Sequence, residues 1–156
     1  MEEPAKRRCL ADCEFEKLAR AEVVALADEL ESGNGAAVDR AVRFVRAETE
    51  GLWHGRGRAL MCRRMKHVEL SRTHREQLLD VILARLTFGH FSEQFRDQLR
   101  LALPLDAKET FAAADKALSS DKDYVRRYAR WVLRHKQQRS AGGSKSNGRS
   151  RGGATR

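Results

Sequence analysis

The sequence has 156 residues, of which 41% are hydrophobic and 34% charged, enough for one domain with a modest core. It contains no run of about 18 apolar residues, which excludes a membrane-spanning helix from the expected elements. The N-terminus lacks the apolar stretch of a secretory signal, so the three cysteines are expected to be reduced thiols in the cytosol or nucleus.

The formal net charge of +9 is concentrated at the C-terminal end of the chain. Residues 124–156 contain ten lysines and arginines and no acidic residue, whereas residues 1–123 carry 21 basic and 22 acidic groups. A second basic segment, residues 53–75, lies between acidic stretches and has seven lysines and arginines against Glu69 alone. Such clustering indicates a polyanionic partner, an import signal or a solubilising surface.

The residue types favour helix through the central part of the chain. Alanine, leucine, arginine, glutamate and lysine dominate, and proline occurs only at Pro4 and Pro104. We therefore predict an all-α fold of about seven short helices. The predicted organisation is a flexible arm over residues 1–11, a helical domain over 12–138 and a tail over 139–156.

The first two helices are predicted to form an antiparallel hairpin. Asp12 can cap a helix that continues at helical spacing to the Ser32–Gly35 turn, whose glycines and asparagine end it. The second helix is predicted over 36–50, because apolar residues recur on one face. That predicted inner face consists of Val38, Ala41, Val42, Val45 and Thr49.

A loop from Gly51 to Arg58 is predicted next, followed by a third helix over 58–68. The fourth helix is predicted to start at a capping box formed by Thr73 and Glu76 and to stop at Gly89. It contains the most apolar stretch of the chain, so it should supply much of the core. It carries Leu78, Leu79, Ile82, Leu83 and Leu86, of which Leu79, Ile82 and Leu86 are predicted to be buried.

Three further helices are predicted toward the C-terminus. Ser92 is predicted to cap the fifth helix, which ends before Pro104. Asp106 and Glu109 form a capping pair for the sixth helix, and the seventh is predicted over 122–137. The predicted buried residues of these helices include Leu99, Phe111 and Trp131.

A segment in the last helix resembles the second helix of a HEAT repeat. Its pattern, D-x-V-R-x-x-A-x-x-x-L, is formed by Asp123, Val125, Arg126, Ala129 and Leu133. It is also similar to a helix of the DNA alkylation repeat proteins, which are built from HEAT-like units. The resemblance implies that the valine, alanine and leucine pack inward while the aspartate and arginine link neighbouring repeats. Two architectures therefore stay open, a HEAT- or armadillo-like stack of helical hairpins and an irregular bundle.

The tail is the clearest functional feature of the sequence. After Gln138 the chain consists mainly of glycine, serine, lysine and arginine, so residues 139–156 are predicted to be disordered. Flexible basic residues can neutralise phosphates without recognising a sequence, and Arg151-Gly152-Gly153 is one RGG unit. The alternatives are a solubilising tail, an import signal or attraction to a membrane surface.

Trp53 lies beside arginines in the second basic segment, where an aromatic ring can stack a base. The alternative is that Trp53 fills a gap between helix pairs and the arginines form a solvated face. Candidate nucleic-acid contacts thus come from the last helix, the tail and this segment. They are Arg126, Arg127, Arg130, Arg134, Lys136, Arg139, Lys145, Arg149, Arg151, Trp53, Arg56, Arg58, Arg63, Arg64 and Lys66.

Metal binding and catalysis have little support in the sequence. Cys9 with Cys13, and Cys62 with His67, are zinc-ligand types, but the second pair would point apart on a helix. The chain has no phosphate loop, nucleophile elbow or zinc-protease motif. The DNA alkylation repeat resemblance implies a glycosylase, yet no residue can be assigned as that family's catalytic acid. We therefore expect no enzyme activity, cofactor or metal.

The sequence predicts a non-enzymatic helical interaction module, a protein-binding scaffold or adaptor with an unidentified protein partner. Its basic tail would favour the nucleus, or the nucleolus, and would contact RNA or DNA without sequence specificity. The alternative function is direct RNA or DNA binding, with the last helix, residues 53–75 and the tail as one basic surface. The alternative location is the cytoplasm, and a membrane partner is not expected.

Overall fold

The computed structural model describes residues 14–142, and no strand occurs among them. Seven α-helices of ten or more residues lie in this part of the chain, which confirms the predicted all-α fold. They are α1 (Arg20–Glu29), α2 (Gly35–Arg46), α3 (His54–Met65), α4 (Arg72–Phe88), α5 (Arg96–Leu105), α6 (Ala107–Ala117) and α7 (Asp123–Gly142). None of these helices is both long and apolar enough to cross a membrane. The predicted arm and residues 143–156 of the predicted tail lie outside the described residues.

The helices pack in two layers. The odd layer consists of α1, α3 and α5, which lie side by side, and the even layer consists of α2, α4 and α6. The last helix, α7, packs mainly against α6 and also contacts α4. Each of the first four helices thus packs against the helix two positions further along the chain, and both predicted architectures, the stack of helical hairpins and the irregular bundle, stay open.

The core is built from the apolar faces that helical spacing predicts. On α4, Ile82 and Leu86 are fully buried and Leu79 is 7% exposed, while Leu83 packs against the core from its edge. The predicted valines and alanine of α2 are buried as well. Among the later predictions Leu99 is buried, as expected. Phe111 and Trp131 were also predicted to be buried. Both are only partly buried and pack against the core from outside.

The first helix is interrupted, which corrects the prediction of one helix from Asp12 to Ser32. The chain is helical at residues 14–16 and becomes helical again only at Arg20, and a 3₁₀ segment, Leu30–Ser32, follows α1. The Ala19 amide donates to Oε2 of Glu22 at 2.7 Å and so satisfies one of the unpaired donors at the start of α1. The interruption stayed hidden because the apolar spacing continues across it.

The predicted loop from Gly51 to Arg58 is wrong in its second half, because α3 begins at His54. The buried ring of His54 fixes this start: Nε2 donates to the Leu18 carbonyl at 2.9 Å, and Nδ1 accepts from the Thr49 hydroxyl at 2.7 Å. Thr49 is therefore buried as predicted, but in a loop after the shorter α2. Gly57 lets α3 approach α1, since a Cβ there would lie 2.4 Å from Cγ1 of Val23.

The cap of α4 differs from the predicted box. The Ser71 hydroxyl accepts from the His74 amide at 3.1 Å, so α4 begins before Thr73. Glu76 instead accepts from Nε of Arg72 at 2.8 Å, one turn earlier on the same helix. The serine two positions before the predicted threonine is therefore the residue that caps the first turn of α4.

The ends of the later helices are partly as predicted. Asp106 caps α6 by accepting from the Glu109 amide at 3.0 Å, which confirms that prediction. Ser92 makes no capping hydrogen bond, because a 3₁₀ segment, Glu93–Phe95, leads into α5. Pro104 lies in the last turn of α5 instead of beyond it.

The last helix is longer than predicted. It continues to Gly142, and the Ser140 hydroxyl donates to the Lys136 carbonyl at 3.1 Å within it. Glutamine, arginine and alanine sustain a helix without apolar contacts. Residues 139–142, predicted to be part of the disordered tail, are therefore helical.

Candidate nucleic-acid interface

Arg56 and Arg58 lie two residues apart in the first turns of α3 and differ in their surroundings. Arg58 points inward and donates to the hydroxyl and the carbonyl oxygen of Thr49, each at 3.0 Å. Burial, helped by the nearby Arg85, lowers the pKa of Arg58 from its ordinary value of 12.5 to about 10. Arg56 is exposed. The Arg58 guanidinium thus joins α3 to the loop after α2, and its contact with nucleic acid stays a prediction.

Arg85 completes this inner network. Its side chain is only 4% exposed and donates to Oε1 of Glu48 at 3.0 Å and to Oε1 of Gln98 at 2.9 Å. It also donates to the Ala47 carbonyl at 3.4 Å. We call Arg58 and Arg85, with their partners in residues 47–49 and at Gln98, the inner network. It ties α4 to α5 and to the loop between α2 and α3.

Two further predicted contacts have structural partners. Arg64, near the end of α3, donates to Oδ1 of Asp28 at 2.6 Å and also lies near Glu31, which ties α3 to the end of α1. Arg126 donates to the Ser120 carbonyl at 2.6 Å and so holds the chain that enters α7. Both side chains are partly exposed, so their contact with nucleic acid stays a prediction.

An open groove of about 680 Å³ lies on the odd layer. Its lining residues come from α1, from α3 and from the start of α5: Val24, Trp53, Arg56, Leu60, Arg63, Gln94, Arg96, Asp97 and Arg100. Four of them are arginines and one is acidic. The Asp97 carboxylate accepts from Arg63 at 2.7 Å and from Arg100 at 3.3 Å. One carboxylate thus orients two arginines and leaves the groove with excess positive charge.

A second groove, of about 450 Å³, continues this surface toward α7. It is lined by Lys66, Arg100, Leu103, His135, Gln138 and Arg139. Arg100 belongs to both grooves, so they form one surface from α1 across α3 and α5 to the C-terminal half of α7. We call the lining of both grooves, together with Arg20 and Trp131, the basic groove.

Both tryptophans of the chain lie at this surface. Trp53 is partly buried in the first groove, and the Arg20 guanidinium carbon lies 5.4 Å from its ring centroid. Trp131 on α7 lies 6.0 Å from the guanidinium carbon of Arg96 and 5.7 Å from that of Arg100. Contacts of this kind are attractive, so the rings hold the flexible arginines in place.

The structure brings the two predicted basic segments together. Trp53, Arg56, Arg63 and Lys66 share the basic groove with Arg139 of the last helix. Lys136 is instead directed toward α6, with Nζ 6.0 Å from the Phe111 ring centroid. Arg127, Arg130 and Arg134 are exposed on α7 outside the groove lining. The predicted contacts Lys145, Arg149 and Arg151 lie outside the described residues.

Three arginines and one tryptophan of the basic groove are absent from the predicted contacts: Arg20, Arg96, Arg100 and Trp131. Arg96 and Arg100 lie one helical turn apart on α5, away from its buried Leu99. A signal for them exists in that spacing, since residues four apart share one helix face. This signal is easily missed, because the segment that contains both arginines, residues 76–123, has more acidic than basic residues.

The candidate zinc ligands do not come together among the described residues. Cys62 is fully buried, and burial raises the pKa of its thiol from 9.0 to about 12, whereas His67 is exposed. No group of three or more histidines, cysteines, aspartates or glutamates that could hold a metal occurs in residues 14–142. Cys9 and Cys13 lie outside this range.

The HEAT-like segment forms the first half of α7. Val125 and Ala129 are buried, while Asp123 pairs with Arg126 and Arg127 of the same helix. Comparison of the chain with protein-family models, curated proteins and solved structures found no match. Membership of the HEAT or DNA alkylation repeat families therefore stays a prediction.

Proposed function

We propose that this protein is a non-enzymatic helical module that binds RNA or DNA with the basic groove of its folded body. The observation that carries the proposal is that α3, α5 and α7 place basic residues and both tryptophans on one surface. Lysines and arginines along a groove bind phosphates and release counterions, and aromatic rings offer stacking surfaces. This is the alternative function predicted from the sequence, extended by α5.

The excess of basic over acidic residues in the basic groove favours the binding of an external anion. Six basic residues line the two grooves, and Asp97 is the acidic residue among the lining. Two surface arginines of the even layer differ, because carboxylates already neutralise them. Arg43 on α2 pairs with Glu14 and Asp39, and Arg72 on α4 pairs with Glu76. The groove arginines outnumber the carboxylates that could neutralise them, so phosphates are their natural partners.

A protein-binding scaffold is the second candidate function, because apolar side chains are exposed away from the groove. Phe88 at the end of α4 is 64% exposed, and Leu118 and Tyr124 are each 38% exposed. Large apolar side chains in solvent favour a protein contact when they lie together. Both candidate functions include a nuclear location and a basic tail that supports the binding.

The test compares two pairs of arginines in the full chain. Arg56→Ala with Arg96→Ala removes two exposed groove charges, and Arg46→Ala with Arg72→Ala removes two exposed charges from the even layer. Fluorescence anisotropy measures the affinity for labelled oligonucleotides, both single strands and duplexes, at several salt concentrations. The groove pair should lose about tenfold in affinity at about 0.1 M salt, and its salt slope should fall by about 2.

The even-layer pair is the control for net charge, and it should lose much less affinity. Equal losses in both pairs would mean that the chain attracts nucleic acid by its overall charge and has no site in the groove. If the unaltered chain binds neither single strands nor duplexes, the proposed function is wrong.

A further inference from the structure

We infer that the basic groove binds single-stranded nucleic acid in preference to a duplex, with one base stacked on Trp53. The inference rests on the proposed function and names its ligand. It follows from three observations: the shape of the surface, the different surroundings of the two tryptophans, and the course of the basic residues along the groove.

The arginines of the first groove surround a recess and do not form a ridge. Proteins that recognise a duplex insert a helix, a strand or an arm into one of its grooves, so their contacting residues protrude. The open groove has a volume of about 680 Å³. It can take an unpaired base with its sugar, whereas a duplex would touch only its rim.

The interior of this recess suits a base. Trp53 and Leu60 give it apolar surface, and the amide of Gln94 can donate to and accept from a base edge. Arg56 and Arg63 line the same recess, within reach of the phosphates on either side of a bound nucleotide. Aromatic rings beside arginines are the usual means by which proteins hold single strands without sequence preference.

The two tryptophans differ in what already covers them. Trp131 contacts Arg96, Arg100 and the ring of His135, whose centroid is 4.5 Å away. Trp53 packs against the core as Trp131 does, but it has one arginine, Arg20, over its ring and borders the open groove. We therefore assign base stacking to Trp53, whereas Trp131 positions two arginines that face the phosphates.

The strand has a continuous path beyond the recess. Arg100 joins the first groove to the second, where Lys66 and Arg139 follow. A backbone that leaves Trp53 and passes Arg100 would keep its phosphates near basic side chains as far as α7. This path predicts that affinity for single strands grows with length until the strand spans both grooves.

The experiment uses the full chain and strands of about 12 nucleotides, within the range of known single-strand site sizes. Affinities are measured for single-stranded RNA, for single-stranded DNA and for the duplex of the same sequence. Single strands should bind at least about tenfold more tightly than the duplex. In the unaltered chain, intrinsic fluorescence should be quenched when a single strand binds but not when the duplex is added, and Trp53→Phe should lose most of this quenching.

Trp53→Ala should weaken single-strand binding by about tenfold and leave the weak duplex binding unchanged, and Trp53→Phe should recover most of the loss. Melting temperatures show whether each variant is folded, and the quenching in the unaltered chain is measured without any substitution. Duplex binding as tight as single-strand binding, or no quenching of Trp53, would overturn the inference and leave the proposed function intact. If the chain binds neither single strands nor the duplex, both the inference and the proposed function are wrong.

Discussion

The inner network and the basic groove use the same residue type for opposite purposes. In the inner network, Arg58 and Arg85 give their guanidinium hydrogen bonds to carbonyl, hydroxyl, amide and carboxylate oxygens of the fold. In the basic groove, Arg56 and Arg96 are exposed, and Arg100 lies over a tryptophan. The number of arginines in a segment therefore does not locate a binding surface. The direction of each side chain on its helix does.

The largest effect should come from the apolar core that supports both regions. Ile82 on α4 is fully buried, so Ile82→Ala removes apolar contacts and leaves a cavity. The free energy of unfolding should fall by about 2–5 kcal/mol in chemical denaturation. Asp80→Ala, on the exposed side of the same helix, is the control and should stay within about 0.5 kcal/mol. A stable Ile82→Ala variant would mean that the core lies elsewhere.

The sharpest stability contrast should lie between the two sets of arginines. Arg85→Ala takes away the donor that Gln98 Oε1 accepts from inside the fold, and it should destabilise the protein by about 3 kcal/mol. Arg96→Ala should change the unfolding free energy by less than about 0.5 kcal/mol, because its side chain is exposed. If both variants lost the same unfolding free energy, the distinction between the inner network and the basic groove would be wrong.

The helices of the even layer could be predicted because their apolar residues recur with the helical period. Ile82 and Leu86, or Val38 and Val42, must face one direction on any helix, and the core must lie there. The start of α3 could not be predicted in this way. Gly55 and Gly57 resemble loop residues, yet Gly57 permits close packing against Val23, a contact between residues far apart in sequence.

The basic groove was only half predictable, since it depends on which helices become neighbours. Trp53, Arg56 and Arg63 stand out as an aromatic residue among arginines in one short segment. Arg96 and Arg100 belong to the groove only because α5 packs beside α3, and that contact leaves no trace in local composition. The same holds for Arg58, whose burial follows from the path of the loop before α3.

A smaller effect is expected from the tail. Deleting residues 143–156 removes Lys145, Arg149, Arg151 and Arg156, so the net charge falls by four from +9 to +5. Affinity for nucleic acid and its salt dependence should decrease, because fewer phosphates are neutralised. The loss should be smaller than that of Arg56→Ala with Arg96→Ala, and the melting temperature should not change. A complete loss of binding after the deletion would place the site in the tail.

The central claim is that the odd layer, and not the even layer, faces the nucleic acid. Two-dimensional NMR of the labelled protein during titration with a single-stranded oligonucleotide tests it residue by residue. The account predicts signal shifts for the indole of Trp53 and for the amides around Arg63 and Arg100, with little change around Arg46 and Arg72. Shifts concentrated on α2 and α4, with the signals of the basic groove unmoved, would contradict it.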